Sequence, residues 1–393
     1  MVGMAEDLTQ LQIRSLPETY NFTDGHAHRP FDEQERAAIS SLDDIFFEVE
    51  RERQFELEYA YIEAFYGLHH QTVRSDKTKY LLLPSASLSL EVVANYLRLA
   101  KLDLALTEPC FDNLANMFKR HNISLEPFPD KNLEADDFPQ RLAQIRSKAI
   151  CIVSPNNPTG ITCSPKAFRQ LVAFCKQEHR LLIMDSSFRA YKQPEDIFDE
   201  YDLLQQSGIE YIMVEDTGKT WPTKELKVSV LAMSHSIYDV IFDIYTDFLY
   251  HHSPFNIKFL TELIRFSTAD NLQSIKSVIK KNRQMLHKTI EGSFLIPHEK
   301  QATSVAWLRI DHDVTGVQLA AILKASGIFI LPGQKFFWSD NSNGDQYVRI
   351  ALAREPEAFE RAMQRFGEIL SSLSTAERSI NFGYVLPQAS NNG

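Results

Sequence analysis

The chain has 393 residues, 44% hydrophobic and 24% charged, with a net charge of −11 and a sequence pI near 5.6. It reads as an ordinary soluble globular protein with room for two packed lobes. The acidic balance argues against a nucleic-acid or anionic-membrane surface, and no apolar run approaches the ~20 residues needed to span a bilayer.

In chain order, residues 1–45 read as an arm, since 1–30 show weak periodicity and MVGMAEDLTQ is too acidic and polar for a signal peptide. Residues 31–70 look helical, rich in acids and aromatics. From about 80 to 250, short branched apolar runs alternate with helical segments. AICIVSP (149–155), RLLIMDSS (180–187) and EYIMVEDTG (210–218) recur about every 30 residues, the length of βαβ units. This predicts an α/β fold with a mostly parallel central sheet covered on both faces, in a large domain over 46–285. Residues 255–290 predict one or two long helices linking the lobes. A smaller α+β domain follows over 286–375, with strands SVAWLRI (304–310), GIFILPG (327–333) and YVRIALA (347–353). Its closing helix places Phe359, Met363, Phe366, Ile369 and Leu370 on one face. Residues 376–393 read as a polar tail. The four cysteines form no C-x-x-C pair, so neither a zinc nor a redox motif is expected, and a cytoplasmic protein with reduced thiols is the default.

In open parallel sheets, ligands bind beyond the carboxyl ends of the strands. Three successive strand ends here offer an amide in Asn156-Asn157-Pro158-Thr159-Gly160, a carboxylate in Asp185-Ser186-Ser187-Phe188, and an amine in Asp216-Thr217-Gly218-Lys219. Pyridoxal phosphate (PLP) needs that set. The lysine forms the imine, the carboxylate keeps the pyridine nitrogen protonated, and the amide bonds the ring oxygen. Taken singly, each has a simpler explanation: a helix cap, a solvated surface lysine, a turn. Their order and spacing together carry the reading.

SPNNPTG, the Asp185 strand end, the Lys219 segment with Lys227 eight residues on, and YVRIALA resemble the class I/II aminotransferase superfamily, fold type I PLP enzymes, over roughly residues 80–375. The resemblance implies Lys219 as Schiff-base lysine, Asp185 on the pyridinium, Asn157 on the ring oxygen and Phe111 stacked on the ring. Arg349 would clamp the substrate carboxylate. Ser87, Ser89, Ser187 and Lys227 would hold the cofactor, with Ser87 and Ser89 expected just before the helix SLEVVANYLRLA. A homodimer is also implied. Three positions depart from the usual pattern: Phe188 replaces a tyrosine, Lys227 replaces an arginine, and Asp216 opens the lysine motif. A carboxylate beside the phosphate is repelled, so Asp216 is expected to turn toward a cationic substrate side chain; the plainer alternative is an Asp paired with a neighbouring base.

EDTGKTWPTKELK (215–227), NFTDGHA (21–27), EPCFDN (108–113) and WSDNSNGDQYVRIALAR (338–354) together resemble a narrower family, the PLP-dependent L-arginine oxidases and hydroxylases of antibiotic biosynthesis. This likeness runs nearly end to end. It implies α-proton removal from L-arginine by Lys219, then reaction with O2 as co-substrate without metal or flavin. The products are ammonia, peroxide and a 4,5-dehydro or 4-hydroxy 2-keto acid. It implies Asp216 on the guanidinium and an arm folded over the substrate with Thr9, Gln12, Asp24 and His26 facing the site. His26 would move protons or position a water; His28 has no comparable context. Gln12 stands where hydroxylating relatives have a glutamate, which favours an oxidase that stops at the dehydro keto acid. A conventional aminotransferase acting on a cationic amino acid remains the alternative. A non-catalytic PLP-binding regulator is disfavoured, because the arm is acidic and lacks a basic winged helix.

Overall fold

The computed structural model describes residues 6–300 and 302–381. Seven strands form the large sheet: β1 (Thr78–Leu83), β2 (Leu104–Glu108), β3 (Leu125–Pro129), β4 (Ala149–Val153), β5 (Leu181–Asp185), β6 (Tyr211–Asp216) and β7 (Ser229–Ser234). Their spatial order is β1-β7-β6-β5-β4-β2-β3, and only β7 runs antiparallel to its neighbours β1 and β6. Strands β4, β5 and β6 are buried at every residue. That is why they read as continuous apolar runs rather than alternating ones: both faces are covered.

The second sheet holds β8 (Leu295–Pro297), β9 (Val305–Ile310), β10 (Leu331–Pro332) and β11 (Tyr347–Ala351), antiparallel in the order β10-β11-β9-β8. Two helices, Pro254–Ala269 and Gln273–Ile290, stand between the two sheets in chain order, where one or two long helices are predicted. The final helix, Pro356–Asn381, buries Phe359, Met363, Phe366 and Leu370 and continues into the stretch expected as tail; residues 382–393 lie outside the described residues.

The arm is more ordered than its weak periodicity predicts. It contains the helix α1 (Leu8–Ser15), started by a capping box in which Asp7 accepts from Gln10 N and the Gln10 side chain reaches back to Asp7 N. Leu8, the buried apolar residue of α1, packs against Trp307, Leu331 and Phe336 of the small lobe. Burying such a side chain stabilises by roughly 1.5–3 kcal/mol. Beyond α1, Tyr20–Asn21 pairs in parallel with Ile328–Phe329, His28 N donates to Ala353 O (2.9 Å) and Ala27 N to Gly218 O (3.1 Å). The arm is thus stitched to both lobes by backbone hydrogen bonds, which hydrophobic periodicity cannot reveal.

Alternation along β6 sorts two neighbouring acids. Successive side chains point to opposite faces, so Glu215 enters a buried ionic network while Asp216 meets the cavity described below. Glu215 accepts from the Arg189 guanidinium and from Tyr201 Oη (3.0 Å); Glu200 accepts from both Arg189 and Lys192. All four charged residues are buried. Such a network anchors the strand end, because removing any one partner strands another charge out of water.

Candidate active site

The carboxyl ends of β4, β5 and β6 open into a cavity of about 360 Å³, closed on the other side by α1 and residues 24–26 of the arm and by β11 of the small lobe. Lys219 follows β6 across a tight turn. Gly218 keeps that turn uncrowded: a Cβ would meet Asp216 Oδ1 at 2.9 Å, His26 Cδ2 at 3.0 Å and Lys227 Cδ at 3.0 Å, so a larger residue would displace those cavity side chains. Burial lowers the Lys219 amine; Asp216 and Asp24 oppose this, and the cations of Lys227 and Arg349 push it further down. Burial thus shifts the balance toward the free base, the form that condenses with a carbonyl.

Asp185 ends β5 at 7% exposure, and its Oδ1 accepts from Ser187 N (3.0 Å) and Ser187 Oγ (2.6 Å). Burial raises its pKa against those two bonds. Ser187 lines the cavity but spends its hydroxyl on Asp185. The NNPTG turn divides its labour. Asn156 Nδ2 donates to Asp130 Oδ2 and Pro109 O, both 2.8 Å, and holds the turn. Asn157 faces the cavity, where its Oδ1 accepts from Arg349 Nη1 at 3.1 Å. Arg349 is fully buried on β11, with its guanidinium 5.7 Å from the Phe111 ring centroid and 5.6 Å from that of Phe336. It also donates to Thr23 O, and burial lowers its pKa to about 9 despite Asp24.

The helix Ala86–Ala100 starts earlier than expected. Ser85 is its N-cap, accepting from Leu88 N at 3.2 Å, so Ser87 and Ser89 lie inside the helix rather than before it. Ser85 and Ser87 line the cavity. Ser89 does not: it is buried and bonded to Ser229 Oγ at 2.8 Å, so the structure does not bring it to the cofactor position. The missed signal was the serine one turn earlier, the first hydroxyl after the apolar strand. Asp216 lines the cavity, and its carboxylate is engaged at the helix N-terminus: Oδ2 accepts from Ala86 N (2.9 Å) and Oδ1 from Gly218 N (2.6 Å). The free N–H groups and the dipole there attract any nearby carboxylate.

From the arm, Thr9, Gln12, Asp24 and His26 all line the cavity. Gln12 Nε2 donates to Thr23 O at 2.8 Å. His26 Nε2 stands 3.3 Å from both Lys219 Nζ and Lys227 Nζ, while its Nδ1 meets Asp24 Oδ1 at 2.6 Å. The Lys219 charge first, then burial, lower the His26 imidazole against the pull of Asp24. Burial would raise Asp24, but hydrogen bonds from His26 and His28 outweigh it and hold the carboxyl well below the usual range. Sequence reading passed over His28, whose Nε2 meets Asp24 Oδ2 at 2.6 Å. It also passed over Arg354, which pins the arm by donating to Asn21 O (2.8 Å), Asp24 O (2.5 Å) and His26 O (3.2 Å). Nothing local marks either residue; only the fold gives them partners. Phe188 lines the cavity with no hydroxyl to offer.

Asp112, beside Phe111, accepts from Leu8 N at 3.0 Å and so holds the first residue of α1. Burial raises its pKa to about 6. A carboxyl raised above its unfolded value binds more protons in the native state, so its contribution to stability falls as pH rises from about 4 to about 6 and stays lost above that. Asp112→Asn is therefore expected to gain on the wild type over that window, by up to roughly 3 kcal/mol. Urea midpoints at pH 4.5 and 7.5 check it; a difference that does not change with pH would mean the carboxyl titrates normally.

The residues present fit PLP. A half-buried amine, a buried carboxylate, an aromatic ring and a helix N-terminus beside Lys227 converge on one cavity, matching an aldehyde, a pyridinium, an aromatic face and a phosphate. Bound there, PLP would supply an electron sink for carbanion chemistry. Among the described residues, no group of three or more His, Cys, Asp or Glu side chains is placed to hold a metal ion, and no helix is long and apolar enough to cross a membrane.

Comparisons with known proteins bear on the fold and the family. A solved structure of MppP soaked with the product 2-ketoarginine superposes with TM-score 0.82 at 28% identity, covering 89% of this chain and 99% of that one. The α-aminoadipate aminotransferase LysN of Thermus thermophilus, complexed with N-(5'-phosphopyridoxyl)-L-leucine, shares the fold: TM-score 0.74, 18% identity, 93% and 95% of the two chains. Among curated relatives, LL-diaminopimelate aminotransferase 2 of Trichormus variabilis is 24% identical over 241 residues, 59% of this chain and 58% of that protein. Matches to such curated relatives span about three-fifths of their length. Residues 20–366 match the family described as aminotransferase class I and II. The chain belongs to that family, the PLP-dependent enzymes of fold type I.

Proposed function

We propose that this chain is an L-arginine oxidase that uses PLP and O2, without metal or flavin. The observation that carries this reading is the charge layout of one cavity. Arg349 offers an anion clamp, Asp216 and Asp24 offer carboxylates, and the Lys219 amine feels both kinds of charge. Such a layout suits a substrate with an α-carboxylate and a cationic side chain. The likeness, over 89% of this chain, to a structure of MppP soaked with 2-ketoarginine supports it.

In this reading Lys219 takes the α-proton, with His26 next to its Nζ as partner. Arg349 holds the carboxylate and Asp216 the guanidinium, having exchanged Ala86 N for the substrate. The arm excludes water. Each arginine would consume two O2 and one water, which hydrolyses the imine and supplies the keto oxygen, releasing ammonia and two peroxides with a 4,5-dehydro 2-keto acid; addition of a further water to that acid would give the 4-hydroxy form. Gln12, neutral and bonded to Thr23 O, supports release of the dehydro acid before water adds. A homodimer is part of the proposal, and exposed Phe46, Phe47, Phe55, Tyr59 and Tyr250 favour self-association.

A second reading, a conventional aminotransferase for a cationic amino acid, is favoured by the LL-diaminopimelate aminotransferase relatives. An oxygen electrode separates the two. Purified PLP-loaded protein with L-arginine and no keto acid is expected to take up O2 steadily and form peroxide, with a product mass at the dehydro level. Turnover that appears only after a keto acid is added would establish the aminotransferase instead.

A further inference from the structure

One carboxylate serves two imidazoles. Asp24 Oδ1 meets His26 Nδ1 and Asp24 Oδ2 meets His28 Nε2, each at 2.6 Å. The carboxylate is 6% exposed and ionised, so it can only accept. Both contacting nitrogens must then carry protons. For His26 this fixes the tautomer: Nδ1 is protonated and the Nε2 lone pair faces Lys219 Nζ at 3.3 Å. His28 lies outside the cavity, with its side chain about one-third exposed, held by the bond from its N to Ala353 O.

We propose that His28 is a positioning and charge-tuning residue: it orients Asp24 so that His26 presents a bare Nε2 to Lys219, and it reports solvent pH to that pair. The physical reason is competition. When His28 gains a proton at its other nitrogen, it draws more of the charge of Asp24 toward itself and adds a positive charge nearby. Asp24 then stabilises a protonated His26 less, and His26 becomes a weaker acceptor for the proton that Lys219 must shed. The transfer itself is simple: an N–H bond on Lys219 breaks, one on His26 Nε2 forms, and no electrons change hands. The other charges facing Asp24 and His26 are Lys219, Lys227 and Asp216 on the large lobe and Arg349 and Arg354 on the small one. The His28 side chain lies outside the cavity and is about one-third exposed, so it links Asp24 to bulk solvent, whereas His26 opens into the cavity.

The inference rests on Lys219 as the reacting amine, not on which electron acceptor the enzyme uses. The test is exchange of the α-hydrogen of L-arginine with deuterated water, without O2 or keto acid, on PLP-loaded protein across pH 5–9. His28→Ala is expected to slow exchange roughly tenfold with little change in arginine affinity, because a donor to an ionised partner is lost. His28→Gln keeps a donor but cannot titrate, so it should restore most of the rate and flatten the acid limb. Nitrogen-15 histidine NMR of the same loaded proteins gives a readout independent of turnover. The His26 signals should move with the titration of His28 in the wild type and lose that step in His28→Gln. Unchanged exchange in His28→Ala, a wild-type acid limb in His28→Gln, or a His26 titration indifferent to His28 would each overturn the proposal. Absence of exchange in the wild type would overturn the arginine reading instead, and the NMR arm would still decide the role of His28.

Discussion

Lys219→Ala is expected to abolish turnover, a loss of at least ~10⁴-fold, and to leave no cofactor attached to the chain. Loss of a positioned base alone costs ~10²–10⁴-fold, and here the same nitrogen is also the point of covalent attachment. The geometry leaves no substitute. Lys227, the other lysine in the cavity, stands 3.3 Å from Glu225 Oε2 and the same distance from His26 Nε2, on the side proposed for the phosphate. Borohydride reduction followed by peptide mass analysis gives a direct check: cofactor mass should fall on the Lys219 peptide in the wild type and nowhere in the variant. Retention on the Lys227 peptide would reassign the amine. The fold should survive. Burial holds the Lys219 pKa down, so its charging costs stability at neutral pH, a cost relieved as pH rises toward the unfolded lysine value. The cofactor-free variant should therefore melt no lower than the cofactor-free wild type at pH 7.

Arg349→Ala is expected to lower kcat/KM for the amino acid by about 30- to several thousand-fold, the range of ~2–5 kcal/mol for truncating one partner of a buried charge pair. The side chain does more than bind. It bridges Asn157 of the large lobe and Thr23 of the arm, and it lies against Phe111 and Phe336. Arg349→Lys keeps a charge but not the planar fork, so it should recover only part of the loss. Cofactor attachment to Lys219 should remain near normal in both. A matching loss of attachment would place Arg349 in the cofactor shell rather than on the substrate carboxylate.

The chemistry at the strand ends was legible because it is local. Asn157, Asp185 and Lys219 each follow a fully buried strand, and the apolar runs of β4, β5 and β6 are unambiguous once the parallel sheet is recognised. The helix at 86 was misplaced by a few residues for a related reason. Ser85, Ser87 and Ser89 are equally good caps on paper, and only backbone geometry chooses Ser85.

The sequence by itself determined the parallel sheet, the order of amide, carboxylate and amine along it, and the resemblance of the lysine and arm motifs to arginine-acting relatives. These follow from short-range pattern: apolar runs, turn residues and motif spacing. The tertiary structure alone decided where Asp216 rests, that Ser89 is packed away, and that Asp24 joins His26 to His28. It also decided that Asp112, Arg349 and Arg354 tie the arm down from two lobes. The contacts to those lobes join residues about 100 to 330 positions apart, and in both halves the partners are polar groups. A buried donor or acceptor must find a partner, but which one it finds depends on how the lobes meet, and no local pattern encodes that.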